Sequence, residues 1–211
     1  MSAAPDASTA SAHRTRLIQA LAATLALKSY ADTTVADVVA QAHVSKRTFY
    51  EQFESKEACL LALSESMSQD VLAQIAASYD HEADWVEQLR QVTHGYLASL
   101  QAQPALLRTL FIELYGLGAV GLQVRRRIQC TFADFLRLQV DISRLKEPYK
   151  QPLDEAMAMA VVGGIHELIL QAIENDQVAR LTELTPTITS FVQAVLESLV
   201  PLAHRQPPPA A

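Results

Sequence analysis

Apolar residues recur at helical spacing along nearly the whole chain, and no long stretch alternates with the period of two that marks a strand. Leu17, Ile18, Leu21, Leu25 and Ala26 share one face of a helix expected from about Ala12 to Ser29. Val35, Val38, Val39 and Ala42 form a second, shorter stripe. Thr34 precedes it and Asp37 follows three residues on, the arrangement of a capping box. After His43-Val44-Ser45, Ser45 can cap another helix reaching Phe53, with Phe49 and Phe53 facing inward and Lys46, Arg47 and Tyr50 outward. Ser55 opens a long helix to about Ser78, broken at Tyr79-Asp80-His81. Further helices are expected from Glu82 or Asp84 to Gln101 and from Pro104 to about Tyr115. Gly116, Gly118 and Gly121 mark a break, and Val124, Ile128, Phe132 and Phe135 then line a helix ending near Ile142. Residues 146–152 read as a loop, Asp154 to Asn175 as a helix, and Pro186 to Leu199 as the last helix, stopped by Pro201. Residues 1–11 and 203–211 are small, polar or proline-rich and read as disordered tails. The predicted fold class is all-α.

Two short helices joined by a tight turn, the second beginning with basic residues, form the pattern of a helix-turn-helix. Its second helix enters the major groove by its N-terminal end. Arg47 can contact guanine O6 and N7 as a fork, and Lys46 can serve a base or a phosphate. Thr48 offers a hydroxyl and a methyl, while Thr34 and Ser45 can reach phosphate through hydroxyl or amide. Glu51 and Glu54 sit where carboxylates would repel phosphate, so they are expected to point away or to reject wrong sequences.

Over about residues 14 to 61 the chain resembles the TetR-type transcriptional regulators. The matching features are the leading amphipathic helix, Thr33-Thr34-Val35 with Val38-Val39, Ala42 with Val44-Ser45, Thr48-Phe49-Tyr50 with Phe53, and Ser55-Lys56-Glu57 with Leu60. The resemblance implies a three-helix DNA-binding head over residues 12–56 and a helical ligand-binding and dimerisation body over 57–202. It also implies phosphate contacts from Tyr50 and Lys56, and it places Gln52 where the family often has His or Tyr. A solvated polar face would explain Lys46 alone, but not Thr34, Ser45, Tyr50 and Lys56 falling in register together. The family usually has Gly where this chain has Ser29 and His43, so His43 is expected to tolerate a positive φ.

Residues 156–173 are apolar enough to raise the question of a membrane span. His166 and Glu167 within them are costly in lipid, so a buried or interfacial helix is expected and no membrane. Ala156, Ala160, Gly163 and Gly164 would let a second helix approach closely. With Ile188, Phe191, Val192, Val195 and Leu199 of the last helix, they read as a subunit interface, the alternative being core packing within one chain. The resemblance agrees, since the family dimerises through its last two long helices as a four-helix bundle. It likewise implies a cavity for a small molecule, for which the candidates are Trp85, Tyr96, Phe111, Tyr115, Phe132, Phe135, Met157, Met159 and His166. By composition alone most of these would simply be core.

The chain carries a formal net charge of −6, which argues against indiscriminate binding to nucleic acid. The charge is uneven. Residues 13–56 hold six Lys and Arg against four acids, whereas residues 57–211 hold eleven against eighteen. Arg125, Arg126 and Arg127 point in three directions on a helix and read as partners for the acidic body. Cys59 and Cys130 belong to no motif and read as buried thiols of a reducing compartment. An export signal is disfavoured because Gln19 and Thr24 interrupt the first apolar run and Lys28 follows it. His166-Glu167 starts a zinc-protease motif but lacks the second His, and His81, Glu82 and Asp84 cluster in a break. No catalytic set and no cofactor is therefore expected. The reading is a cytoplasmic homodimeric repressor that binds double-stranded DNA at a palindromic operator and is released by a small-molecule effector. The alternatives are an all-α ligand- or partner-binding protein without operator recognition and a small helical enzyme.

Overall fold

The computed structural model describes residues 7–77 and 84–201, which are helical with no strands. The helices are α1 (Ala7–Leu25), α2 (Val35–Ala42), α3 (Lys46–Gln52), α4 (Lys56–Ala77), α5 (Trp85–Gln101), α6 (Pro104–Phe111), α7 (Gly118–Arg144), α8 (Glu155–Glu174) and α9 (Thr185–Ser198). Two 3-10 segments, Glu113–Leu117 and Val178–Leu184, precede α7 and α9.

The chain divides into two compact units. The first joins the residues up to Gln69 with Gln103–Arg125, and the second joins Asp70–Ala102 with the residues from Arg126 on. The core of the first is built by Leu17, Leu21, Leu25, Val38, Phe49, Leu60, Leu107 and Leu114, all nearly inaccessible. Position in sequence does not disclose that α6 belongs with the head. Cys59 is also buried here, and burial pushes its thiol up to about 12, so it stays protonated. In the second unit, Ala133, Val140, Leu153, Ala158 and Val162 form a cluster, with Phe132, Leu136, Met159, Val195, Leu196 and Leu199 packed against it.

Several boundaries differ from the sequence expectation. Residues 7–11, expected to be disordered, are the first turns of α1, in keeping with the high helix propensity of their alanines. At its other end α1 stops at Leu25 and a turn follows, held by Leu27 N–H donating to the Thr24 carbonyl at 3.0 Å. Residues 1–6, the break at Tyr79-Asp80-His81 and the tail 203–211 lie outside the described residues. The glycines after Tyr115 do not make a loop: α7 begins at Gly118, whose φ of 58 lets the chain turn directly into the helix. Gly121 sits against the preceding turn, where a Cβ would lie 1.7 Å from the Leu114 carbonyl oxygen.

By length and composition, α8 and a window within Pro104–Arg144 are apolar enough to cross a membrane. In the structure α8 is amphipathic in use. Ala158, Val161, Val162, Ile169, Ala172 and Ile173 are buried, while Glu167, Gln171 and Glu174 face outward. Asp154 caps it by accepting from Met157 N–H at 2.8 Å.

Candidate nucleic-acid interface

The geometry of α2, its turn and α3 is fixed by short-range bonds. Thr34 caps α2 with its side chain accepting from Asp37 N–H at 3.3 Å, while Thr34 N–H donates to Asp37 Oδ2 at 2.8 Å. Lys28 Nζ lies 2.6 Å from the same carboxylate oxygen. That ion pair, with the two bonds from Thr34, holds the Asp37 carboxyl far below the usual carboxylate range. His43 takes the left-handed conformation, φ 52 and ψ 45. It lets Val44 N–H reach the Val39 carbonyl at 3.1 Å and His43 N–H reach that of Ala40 at 3.2 Å, the two bonds of a Schellman turn. Ser45 then caps α3, accepting from Thr48 N–H at 3.0 Å.

The seven residues of α3 have one anchored side and one free side. Phe49 and the following Phe53 are buried, their rings 5.7 Å apart. Ser45, Lys46, Arg47, Tyr50 and Glu51 are exposed, and Tyr50 meets the Phe49 ring edge-on at 5.4 Å. Arg14 secures the far end. Its guanidinium donates to the Gln52 carbonyl at 3.0 Å and lies 4.4 Å over the Phe53 ring, a cation on the orphan carbonyls of a helix C-terminus. The other head cations are mostly engaged as well. Arg47 pairs with Glu51 at 2.9 Å. Among the described residues, Arg16 and Lys46 have no hydrogen-bond or ion-pair partner.

Lys56, expected at a phosphate, is turned inward. Its ammonium donates to the carbonyls of Tyr30 at 2.8 Å and Thr33 at 2.7 Å, and it lies 4.0 Å over the Tyr30 ring. An ammonium has three donors, so little remains for DNA. Tyr30 is also held from the other side: its N–H donates to Glu113 Oε2 at 2.7 Å, a bond reaching 83 residues along the chain. Burial, and then the nearby Glu57 carboxylate, push the Tyr30 phenol well above its ordinary range. The loop joining α1 to α2 is thus clamped by α4 and by the segment after α6.

The second unit holds most of the ligand candidates, and it brings together three of them. The Tyr96 and Phe132 rings are 5.7 Å apart, and His166 meets Phe132 edge-on at 6.3 Å. Gln129 Nε2 lies 3.4 Å from Nδ1 of the buried His166. Met159 packs in the hydrophobic cluster of that unit, Phe135 is half-buried, and Trp85 and Met157 are exposed. Phe111 and Tyr115 belong to the first unit, where Tyr115 carries the Arg125 guanidinium 5.0 Å over its ring. Among the described residues no three His, Cys, Asp or Glu side chains gather as a metal requires; His81 and Glu82 lie outside them.

Of the expected interface residues, Ala160 is exposed, Gly163 has open space where a Cβ would stand, and Phe191 is 37% exposed. A Cβ on Gly164 would approach Phe191 Cε1 to 3.2 Å, so that glycine already serves packing within the chain. Val195 packs into the chain's own cluster.

Residues 17–63 match the family described as bacterial regulatory proteins, tetR family. The nucleoid occlusion factor SlmA of Vibrio campbellii (strain ATCC BAA-1116) is 26% identical over 168 residues, 77% of this chain and 85% of that protein. Solved structures share the fold, two of them as follows. Thermus thermophilus FadR, a TetR-family transcriptional repressor in complex with lauroyl-CoA, aligns with a TM-score of 0.69 at 19% identity, covering 94% of this chain and 99% of its own. A TetR-family transcriptional regulator from Pectobacterium atrosepticum aligns with a TM-score of 0.69 at 18% identity, covering 92% and 97%. The head and the fold are those of TetR-family transcriptional regulators.

Proposed function

We propose that this TetR-family chain is a homodimeric, cytoplasmic repressor that binds a palindromic operator and is released by a small molecule. One observation carries the reading. In the matched segment α3 is bolted down by Phe49 and Phe53, and from just before that segment by Arg14, while Ser45, Lys46, Arg47 and Tyr50 stay open to solvent. A short helix anchored on one side, with donors on the other, suits insertion into a major groove. Arg47 reads a base, Thr48 and Lys46 contribute at the same edge, and Thr34, Ser45 and Tyr50 take phosphates. Lys56 acts indirectly, by holding the loop before α2, and Gln52 through the carbonyl that Arg14 grips. The exposed small-residue face of α8, with Phe191 of α9, is the surface on which a second copy packs.

Sequencing of genomic fragments retained by the full-length protein tests this, with Arg47→Ala beside it. Enrichment of one motif by the wild type and its blurring by Arg47→Ala supports the reading; retention of no motif overturns it. Lauroyl-CoA, carried by the FadR relative, is the first effector to try. By linkage, whatever factor the effector takes from operator affinity, the operator must take from effector affinity. The likeness to the nucleoid occlusion factor SlmA favours a second reading, a role in nucleoid occlusion rather than at a promoter. Sites spread along the chromosome, not grouped beside a few genes, would select it.

A further inference from the structure

The proposed recognition helix carries a carboxylate, Glu51, beside its base-reading arginine. Glu51 lies one turn beyond Arg47, and its Oε1 accepts from Arg47 Nε at 2.9 Å. The two side chains are 85% and 47% exposed, so the pair adds little to stability. Its consequence is directional. A guanidinium presents its donors in one rigid plane, at Nε and at the two Nη atoms. With Nε–H engaged by Glu51, the donors left over are the Nη groups, and together they form a fork that fits guanine O6 and N7. Thr48 is oriented in a similar way, its Oγ1 lying 2.9 Å from Ser45 Oγ. Among the described residues Lys46 has no such tie. Two side chains at the start of α3 are therefore arranged before DNA arrives, and ordering a long side chain in advance lowers the cost of the contact.

We propose that Glu51 is a positioning residue for base readout: it aims Arg47 at one operator position and sets specificity there without touching DNA. The proposal rests on α3 being the recognition helix. The competing role for an acidic residue here is plain repulsion of the phosphate backbone, which would be blind to sequence.

Sequencing of random duplexes bound by the full-length protein separates the two, using wild type, Arg47→Ala, Glu51→Ala, Glu51→Gln and the double Arg47→Ala/Glu51→Ala. Arg47→Ala is expected to flatten one base position. Glu51→Ala should flatten that same position, by about fivefold or more, out of a full bidentate contact worth up to about a hundredfold. Glu51→Gln can still accept from Nε and should keep most of the preference, and the double variant should be no flatter than Arg47→Ala. Tighter binding of Glu51→Ala to all sequences alike, with the motif intact, would overturn the positioning role and leave Arg47 as the reader. Loss of no position in Arg47→Ala would instead remove the recognition-helix reading, and the role of Glu51 with it.

Discussion

Asp37 serves three donors at once, Lys28 Nζ and both the amide and the hydroxyl of Thr34. Its folded carboxyl is held far below the usual range, chiefly by Lys28. A depressed carboxylate stabilises the fold above the unfolded value, about 3.9, and that contribution fades as pH falls through it toward the folded value. Asp37→Asn should therefore lower the melting temperature at pH 7 and converge on the wild type as acid is added; a gap that does not shrink toward pH 3 would remove the charge from the account. At the DNA surface, Arg47→Ala should cost about 1–3 kcal/mol on the preferred operator and relax one base. Tyr50→Phe should weaken specific and random DNA alike, because a phosphate contact carries no base information. Competition titrations against both kinds of duplex give the two ratios. Residues whose partners are near in sequence were legible from the start: Thr34 and Ser45 cap as their spacing suggests, and His43 takes the positive φ asked of it. Arg14 and Glu113 were not, since their bonds span 38 and 83 residues and leave no local pattern.

At the scale of elements, the clamp on the loop between α1 and α2 occupies the Lys56 ammonium. The family pattern places it at a phosphate, yet its donors go to the Tyr30 and Thr33 carbonyls, and no spacing rule could have said which acceptor would win. Lys56→Met, which keeps the stem but loses the donors, should destabilise the protein by about 1–3 kcal/mol. It should weaken all duplexes together while leaving the dependence of affinity on salt unchanged. A direct phosphate contact would instead lower the slope of log affinity against log salt by about 1. Helix ends were less legible in the sequence for a related reason. Residues 116–121 contain three glycines and look like a loop, but Gly121 is there so that α7 can pass the Leu114 carbonyl with no side chain between. Close packing and loop flexibility call for the same residue.

For the whole molecule, the all-α architecture was legible because helical periodicity persists along the chain, while the grouping of Gln103–Arg125 with the head depends on long-range packing. The small residues of α8 divide in the structure: Gly164 accommodates Phe191, whereas among the described residues Gly163 has open space where a Cβ would stand and Ala160 is exposed. Ala160→Arg is accordingly the cleaner probe of the proposed dimer. It should leave the fold intact by circular dichroism, shift the sedimenting species to monomer and reduce operator affinity, since a monomer loses one of two half-sites about 34–36 Å apart or a multiple of that. A fully dimeric Ala160→Arg would move the interface elsewhere. In the proposed function, two copies of this chain read a two-fold symmetric sequence through α3. The most direct test of this is the mass of the protein–DNA complex formed on the duplex that the wild type enriches from random sequence, taken together with the symmetry of that duplex. Inverted half-sites with an even number of chains bound, two for a single operator, are expected. One chain per duplex, or an enriched sequence without inverted repeats, would contradict the proposed function.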